Sequence, residues 1–345
     1  MSEESNPRIK KSNSNQKKNL KIEYIRAIAA IGVVSIHTIY SGILYSGDVT
    51  TPYVVLFFTM IKNMLYWAVP CFGMISGMLL LNPEKEISLK KIYGKYLVRI
   101  AIVLLLFGTA FSWIEVIFNE HNISLKQIPE AVLMVLKHQT WEHLWYLYAL
   151  LTIYLLLPLW GYIVKKCNSI ALIGIIAVLY ILSFVLNSRE ISLHLFFMMG
   201  ELFRRQFIKL DKKRSLIVVC VSSVLILITV YIHEVVKVDL NRLLGYTSVF
   251  VAVQAFSFFT FLYGLNFDGL NERLRKILLR ISEYSFGIYI VHMFFVNLEY
   301  KVINLHLMNS LVSVVIFAVL ITVNVLLSYF ATAVMKMIPG IKKLI

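Results

Sequence analysis

Glu23, Arg26 and His37 lie in one apolar stretch, and their types and spacing could do anion and proton chemistry. A separation of eleven residues is about three helical turns, so Arg26 and His37 would face one side of a helix about 16 Å apart. Ionisable residues inside a membrane helix are expensive and normally face the bundle interior or a polar cavity. Histidine suits a general base on a hydroxyl acceptor, because it changes charge near neutral pH. Arginine suits phosphate or another anion. Glu23, one turn before Arg26, could orient the guanidinium. The same residues allow a plainer reading, with Arg26 a snorkelling anchor and His37 an interhelical hydrogen-bond partner.

The elements that must position these residues are membrane helices. Of 345 residues 59% are hydrophobic and 15% charged, and the mean hydropathy is +0.76. A soluble domain carries about a quarter charged residues. Apolar runs of about 20 residues point to an all-α polytopic protein rather than a β-barrel. Ten spans are expected, near 22–43, 60–81, 97–118, 143–163, 169–187, 191–207, 215–233, 244–265, 279–298 and 309–335. Residues 52–60 are either a short interfacial helix or an extension of the second span. Basic residues alternate between the gaps, which places both termini in the cytoplasm. The net charge of +15 then serves topology and anionic lipid head groups, not nucleic acid. Residues 1–20 form a basic, disordered tail, and 21–345 a single membrane-embedded domain.

Four further segments could contribute to a site. Trp67–Leu80 holds Pro70, which would free a carbonyl within the second span, and Gly73, Ser76 and Gly77, which permit close helix approach. Trp141–Tyr148 contains His143, Trp145 and Tyr148; it reads as an aromatic belt or as a sugar-binding face. In Ser282–His292, Tyr289 and His292 are three residues apart on one face, and His292 could meet His37 or bond a neighbouring helix. Arg99, with Lys95 one turn before it, is either a basic anchor or a phosphate site. Cys71, Cys167 and Cys220 show neither metal spacing nor a disulfide framework. No Walker loop, Rossmann glycine pattern or zinc-protease motif is visible, so no metal and no permanently bound cofactor is expected.

Taken in order, these segments resemble the integral-membrane acyltransferase-3 family of bacterial surface-sugar O-acyltransferases. Glu23, Arg26 and His37 match its acidic-x-x-Arg and Arg-x10-His pattern. Val69–Gly77, the His-Leu-Trp-Tyr-Leu-Tyr of 143–148, and Ser282–His292 match its later motifs. The layout is similar to the short stand-alone members of the enterobacterial-common-antigen type. Two departures stand out: Glu23 occupies a position where the family often has Asp, and Tyr96 breaks the third-span Arg-x-x-Arg before Arg99. No esterase-like C-terminal domain is expected.

The resemblance implies transfer of an acetyl (acyl) group from cytoplasmic acetyl-CoA to a sugar hydroxyl, in a bacterial cytoplasmic membrane. His37 would be general base or transient acyl carrier. Arg26, with Arg99 and Lys95, would hold the donor. Ser76, His143, Trp145, Tyr148, Tyr289 and His292 would line the passage or the acceptor site. Partners would be acetyl-CoA, a polysaccharide or lipid-linked sugar, the bilayer and a glycan-synthesis complex. The residues also fit a different class, a transporter or flippase of lipid-linked saccharides, since buried charges and an interrupted helix serve translocation as well.

Overall fold

The computed structural model describes residues 19–45, 51–84, 87–302 and 312–345. Of the tail expected over 1–20, residues 1–18 lie outside them, and Leu20 already begins a helix. No strand occurs among the described residues. The helices are α1 (Leu20–Tyr45), α2 (Pro52–Met64), α3 (Ala68–Leu80), the single turn α4 (Leu89–Lys91), α5 (Val98–Glu120), α6 (Ile128–Leu136), α7 (Trp145–Lys166), α8 (Ser169–Val185), α9 (Arg189–Arg204), α10 (Lys212–Tyr231), α11 (Val249–Tyr263), α12 (Glu272–Asn297) and α13 (Val312–Met335).

Each of the ten expected stretches contains helix. Six candidate spans are long and apolar enough to cross a membrane: Leu20–Tyr45, Pro52–Leu80, Leu89–Glu120, Glu142–Lys166, Lys212–Val236 and Val312–Met335. Together they make this a multi-pass membrane protein. Helices α8 and α11 are apolar but shorter. Polar caps cut the chain at the helix starts: Asn168, Ser188, Asp211, Ser248 and Asn271 each accept a backbone N–H from the first turn, satisfying donors that the helix itself leaves free.

Helix α9 is buried all round, from Ser192 to Leu202, so its sequence does not have to suit lipid. It can therefore carry Glu201, whose side chain is fully buried. Arg204 and Arg205 donate to that carboxylate at 2.6–2.9 Å. Arg205 also donates to the carbonyls of Val164 and Cys167, closing the end of α7.

The second span differs from expectation. Pro70 does not break it. The chain turns at Leu65–Trp67, and Pro70 sits in the first turn of α3, where a missing N–H costs nothing. Residues 52–64 are helical and extend this span. Beyond the turn, α3 lies against α9 in near backbone contact. A methyl at Gly77 would run into the Phe197 carbonyl, and one at Gly200 into the Met74 carbonyl. Close approach of this kind is how small residues hold membrane helices together. The 119–142 gap is also not mere loop. It folds into α6, which packs back on α5 with Val135 against Gly108.

Basic residues gather at one end of the bundle. Here the start of α1 meets the end of α11, with Lys21 donating to the Tyr263 carbonyl at 2.9 Å, and Arg99 donates to the Leu344 carbonyl at 2.7 Å. Helix α1 runs through the centre, clasped by α12 and α13. Ser282 of α12 reaches Glu23 near its start, and Tyr300 and Asn324 reach Thr38 near its end. Replacing Gly77 with alanine is expected to destabilise the protein by about 1–3 kcal/mol, read as a lower melting midpoint of the detergent-solubilised chain. A smaller effect than that of Gly161→Ala, where a methyl meets open space, would contradict this packing.

Candidate active site

Three histidines from three distant segments converge. His37 comes from α1, His143 from the tight turn Glu142–Leu144 ahead of α7, and His292 from α12. Ring centroids lie 5.0 Å apart for His37 and His292, 5.3 Å for His143 and His292, and 6.4 Å for His37 and His143. His143 and His292 are buried, whereas His37 is only partly covered.

Backbone carbonyls fix two of the rings. A carbonyl only accepts, so the nitrogen facing it must carry the proton. His143 donates through Nε2 to Ile290 at 3.2 Å, and His292 through Nδ1 to Tyr289 at 2.7 Å. The remaining nitrogens, Nδ1 of His143 and Nε2 of His292, keep their lone pairs and are buried without a partner among the described residues. Tyr289 locks the assembly by donating its hydroxyl to the His143 carbonyl at 2.7 Å. No group of three or more His, Cys, Asp or Glu among the described residues is arranged to hold a metal ion.

On the basic side of this cluster is a cavity of about 220 Å³. Its wall includes Arg26, Ser76, Arg99, Tyr146, Tyr154 and Tyr289. Arg26 is held by Glu23, with both carboxylate oxygens 3.0 Å away, and Ser282 donates to the same carboxylate at 2.6 Å. Arg99 lies over the Phe286 ring at 5.2 Å, and it has no carboxylate partner among the described residues. Tyr289 therefore belongs to both the arginine cavity and the histidine cluster, and Val33, one turn before His37, also faces the cavity.

The structure brings Glu23, Arg26, Ser76, Arg99 and Tyr289 together at the cavity, and His37, His143 and His292 beyond it. It does not bring Lys95, Trp145 or Tyr148 to either place. Lys95 is exposed in a π-helical turn, Ile92–Leu97. Arg99 lines the cavity and Lys95 does not. Trp145 is buried beneath the Arg189 guanidinium, 5.2 Å from its ring. Tyr148 turns towards α6, donating to the Val135 carbonyl at 2.6 Å and stacking on His138. Sequence reasoning missed Tyr146 and Tyr154, although their spacing of eight, with Leu150 between, marks one stripe of α7 that ends at the cavity.

A membrane-embedded helical bundle with a buried imidazole cluster beside a guanidinium-lined cavity has the parts of a group-transfer enzyme acting on an anionic donor. Residues 19–333 match the acyltransferase domain of the acyltransferase-3 family, and the chain belongs to that family. No curated protein and no solved structure gives a significant match to it. The protein is thus a membrane acyltransferase.

The chain Ser282–Glu23–Arg26 predicts a graded loss. Glu23→Gln should raise the acyl-donor concentration for half-maximal turnover about tenfold, because a charge-assisted bond is lost. Ser282→Ala should raise it less. A larger defect in Ser282→Ala than in Glu23→Gln would break the proposed order of support.

Proposed function

We propose that this protein transfers an acetyl group from cytoplasmic acetyl-CoA to a hydroxyl of a cell-surface polysaccharide or lipid-linked sugar, with His37 as the reacting imidazole. The observation that carries the reading is the arginine cavity abutting the three-histidine cluster, in a chain of this family. In this reading the membrane is the bacterial cytoplasmic membrane. The basic end faces the cytoplasm, as the positive-inside rule favours, with ten crossings and both termini inside.

Arg26 and Arg99 would grip the donor's phosphates by charge-assisted hydrogen bonds, leaving the thioester to reach past Val33 and Tyr289. His37 then takes the proton of the acceptor hydroxyl as the oxygen attacks the thioester carbonyl. The carbon–sulfur bond breaks, and the thiolate leaves with the proton that His37 returns. Alternatively, His37 carries the acetyl group briefly and passes it to the hydroxyl in a second step. In either route His143 and His292, pinned by their carbonyls, present fixed lone pairs around the one ring that must change protonation. Fixed dipoles of this sort need no rearrangement at the moment of reaction.

Thiol release from acetyl-CoA by the purified protein, with a cell-envelope glycan extract as acceptor, tests this reading. His37→Ala should lower it by at least about a hundredfold while the protein still purifies folded. Arg26→Lys should raise the half-saturating acetyl-CoA concentration about tenfold and leave that of the glycan unchanged, because a point charge cannot replace the planar fork. Folded wild-type protein that releases no thiol with any extract would overturn the acetyl-transfer reading.

A further inference from the structure

A second cavity, of about 330 Å³, lies beyond the histidine cluster from the arginines. Chain neighbours of all three histidines line it: Tyr40 and Ser41, one turn after His37; Glu142, before His143; and Met293, after His292. The cavity therefore lies beside the cluster. Ser112, Glu115, Gln139, Thr140, Trp141 and Lys301 form its walls.

The hydroxyl oxygens of Ser112 and Thr140 are buried and have no hydrogen-bond partner among the described residues. Buried polar atoms are normally paired, so two orphan hydroxyls on one cavity wall point to a ligand that supplies the missing partners. The Trp141 indole lies flat on Phe111, with centroids 4.6 Å apart and planes within 1°, and donates to Glu115 at 3.1 Å. An aromatic body with polar groups around it suits a sugar ring, which presents C–H patches between hydroxyls.

The charges set a further condition. Lys301 donates to both oxygens of Glu115, at 3.1 and 3.0 Å. Glu142 is paired with Arg189 at 2.8 Å. Every charged side chain that lines this cavity thus has an ionic partner, whereas Arg99 in the first cavity has none among the described residues. An anionic ligand would meet two carboxylates and no surplus positive charge.

We infer that this second cavity is the acceptor site, that it takes a neutral polyhydroxylated sugar rather than an acidic one, and that Ser112 and Thr140 hydrogen-bond to it while the reacting hydroxyl points to His37. The inference rests on the acetyl-transfer reading above.

The test uses the full chain in lipid nanodiscs with acetyl-CoA and an envelope glycan extract, divided by anion exchange into an unretained neutral fraction and a retained acidic one. The neutral fraction should stimulate thiol release. Ser112→Ala and the near-isosteric Thr140→Val should each raise its half-saturating concentration about fivefold to tenfold, with that of acetyl-CoA unmoved. Gln139→Trp, at the exposed mouth, should raise it further by filling the opening without disturbing the core. Stimulation by the acidic fraction alone, or unchanged glycan saturation in all three variants, would overturn the acceptor assignment and leave acetyl transfer standing. Absence of thiol release from wild type with either fraction would overturn both.

Discussion

The Glu23 carboxylate is the contact on which this structure turns. It lies near the start of α1 among apolar side chains, where an unmatched charge would be intolerable. Arg26 supplies the charge and Ser282 a hydroxyl, so one carboxylate fixes a guanidinium and also joins α1 to α12. The direction of α1 then determines where His37 arrives, about four turns on. The second clasp, at Thr38, Asn324 and Glu299, holds the far end. Between these two points α1 has little freedom, and the cluster that includes His37 inherits that rigidity.

Much of this was legible in the sequence because membrane helices write themselves plainly. Apolar runs marked a helical multi-pass membrane protein, in which six candidate spans are long and apolar enough to cross among the described residues, and the i, i+11 relation of Arg26 and His37 pointed to one side of α1, where one residue faces the cavity and the other the cluster beyond it. The possible meeting of His292 with His37 was also readable. The rest was hidden for definite reasons. Pro70 looks like a breaker in any apolar run, yet whether it sits inside a helix or in its first turn depends on the turn at Leu65–Trp67, which no proline or glycine marks. Lys95 and Arg99 fit one helix stripe, but Lys95, a turn nearer the end of the span, is exposed and does not reach the cavity that Arg99 lines. Trp145 and Tyr148 belong to an aromatic segment whose individual directions are set by α6 and Arg189, elements distant in sequence.

His143 shows the limit most clearly. Its segment, Trp-Glu-His-Leu-Trp-Tyr, reads as a membrane-boundary belt, and two of its rings do pack structurally. The histidine reaches the imidazole cluster because it sits in a tight turn whose carbonyl is held by Tyr289. The partner is 146 residues away in sequence. Spacing within one helix carries no information about such a contact, and only the assembled bundle reveals it.

The two cavities stand back to back and have no lining residue in common. Between the two recesses lie the rings of His37, His143, His292 and Tyr289. A bilayer that holds a proton gradient cannot tolerate a standing bore between its two faces. Two recesses that share no lining residue let reactants meet across the rings without requiring such a bore. The site is in this respect less a channel than a bulkhead.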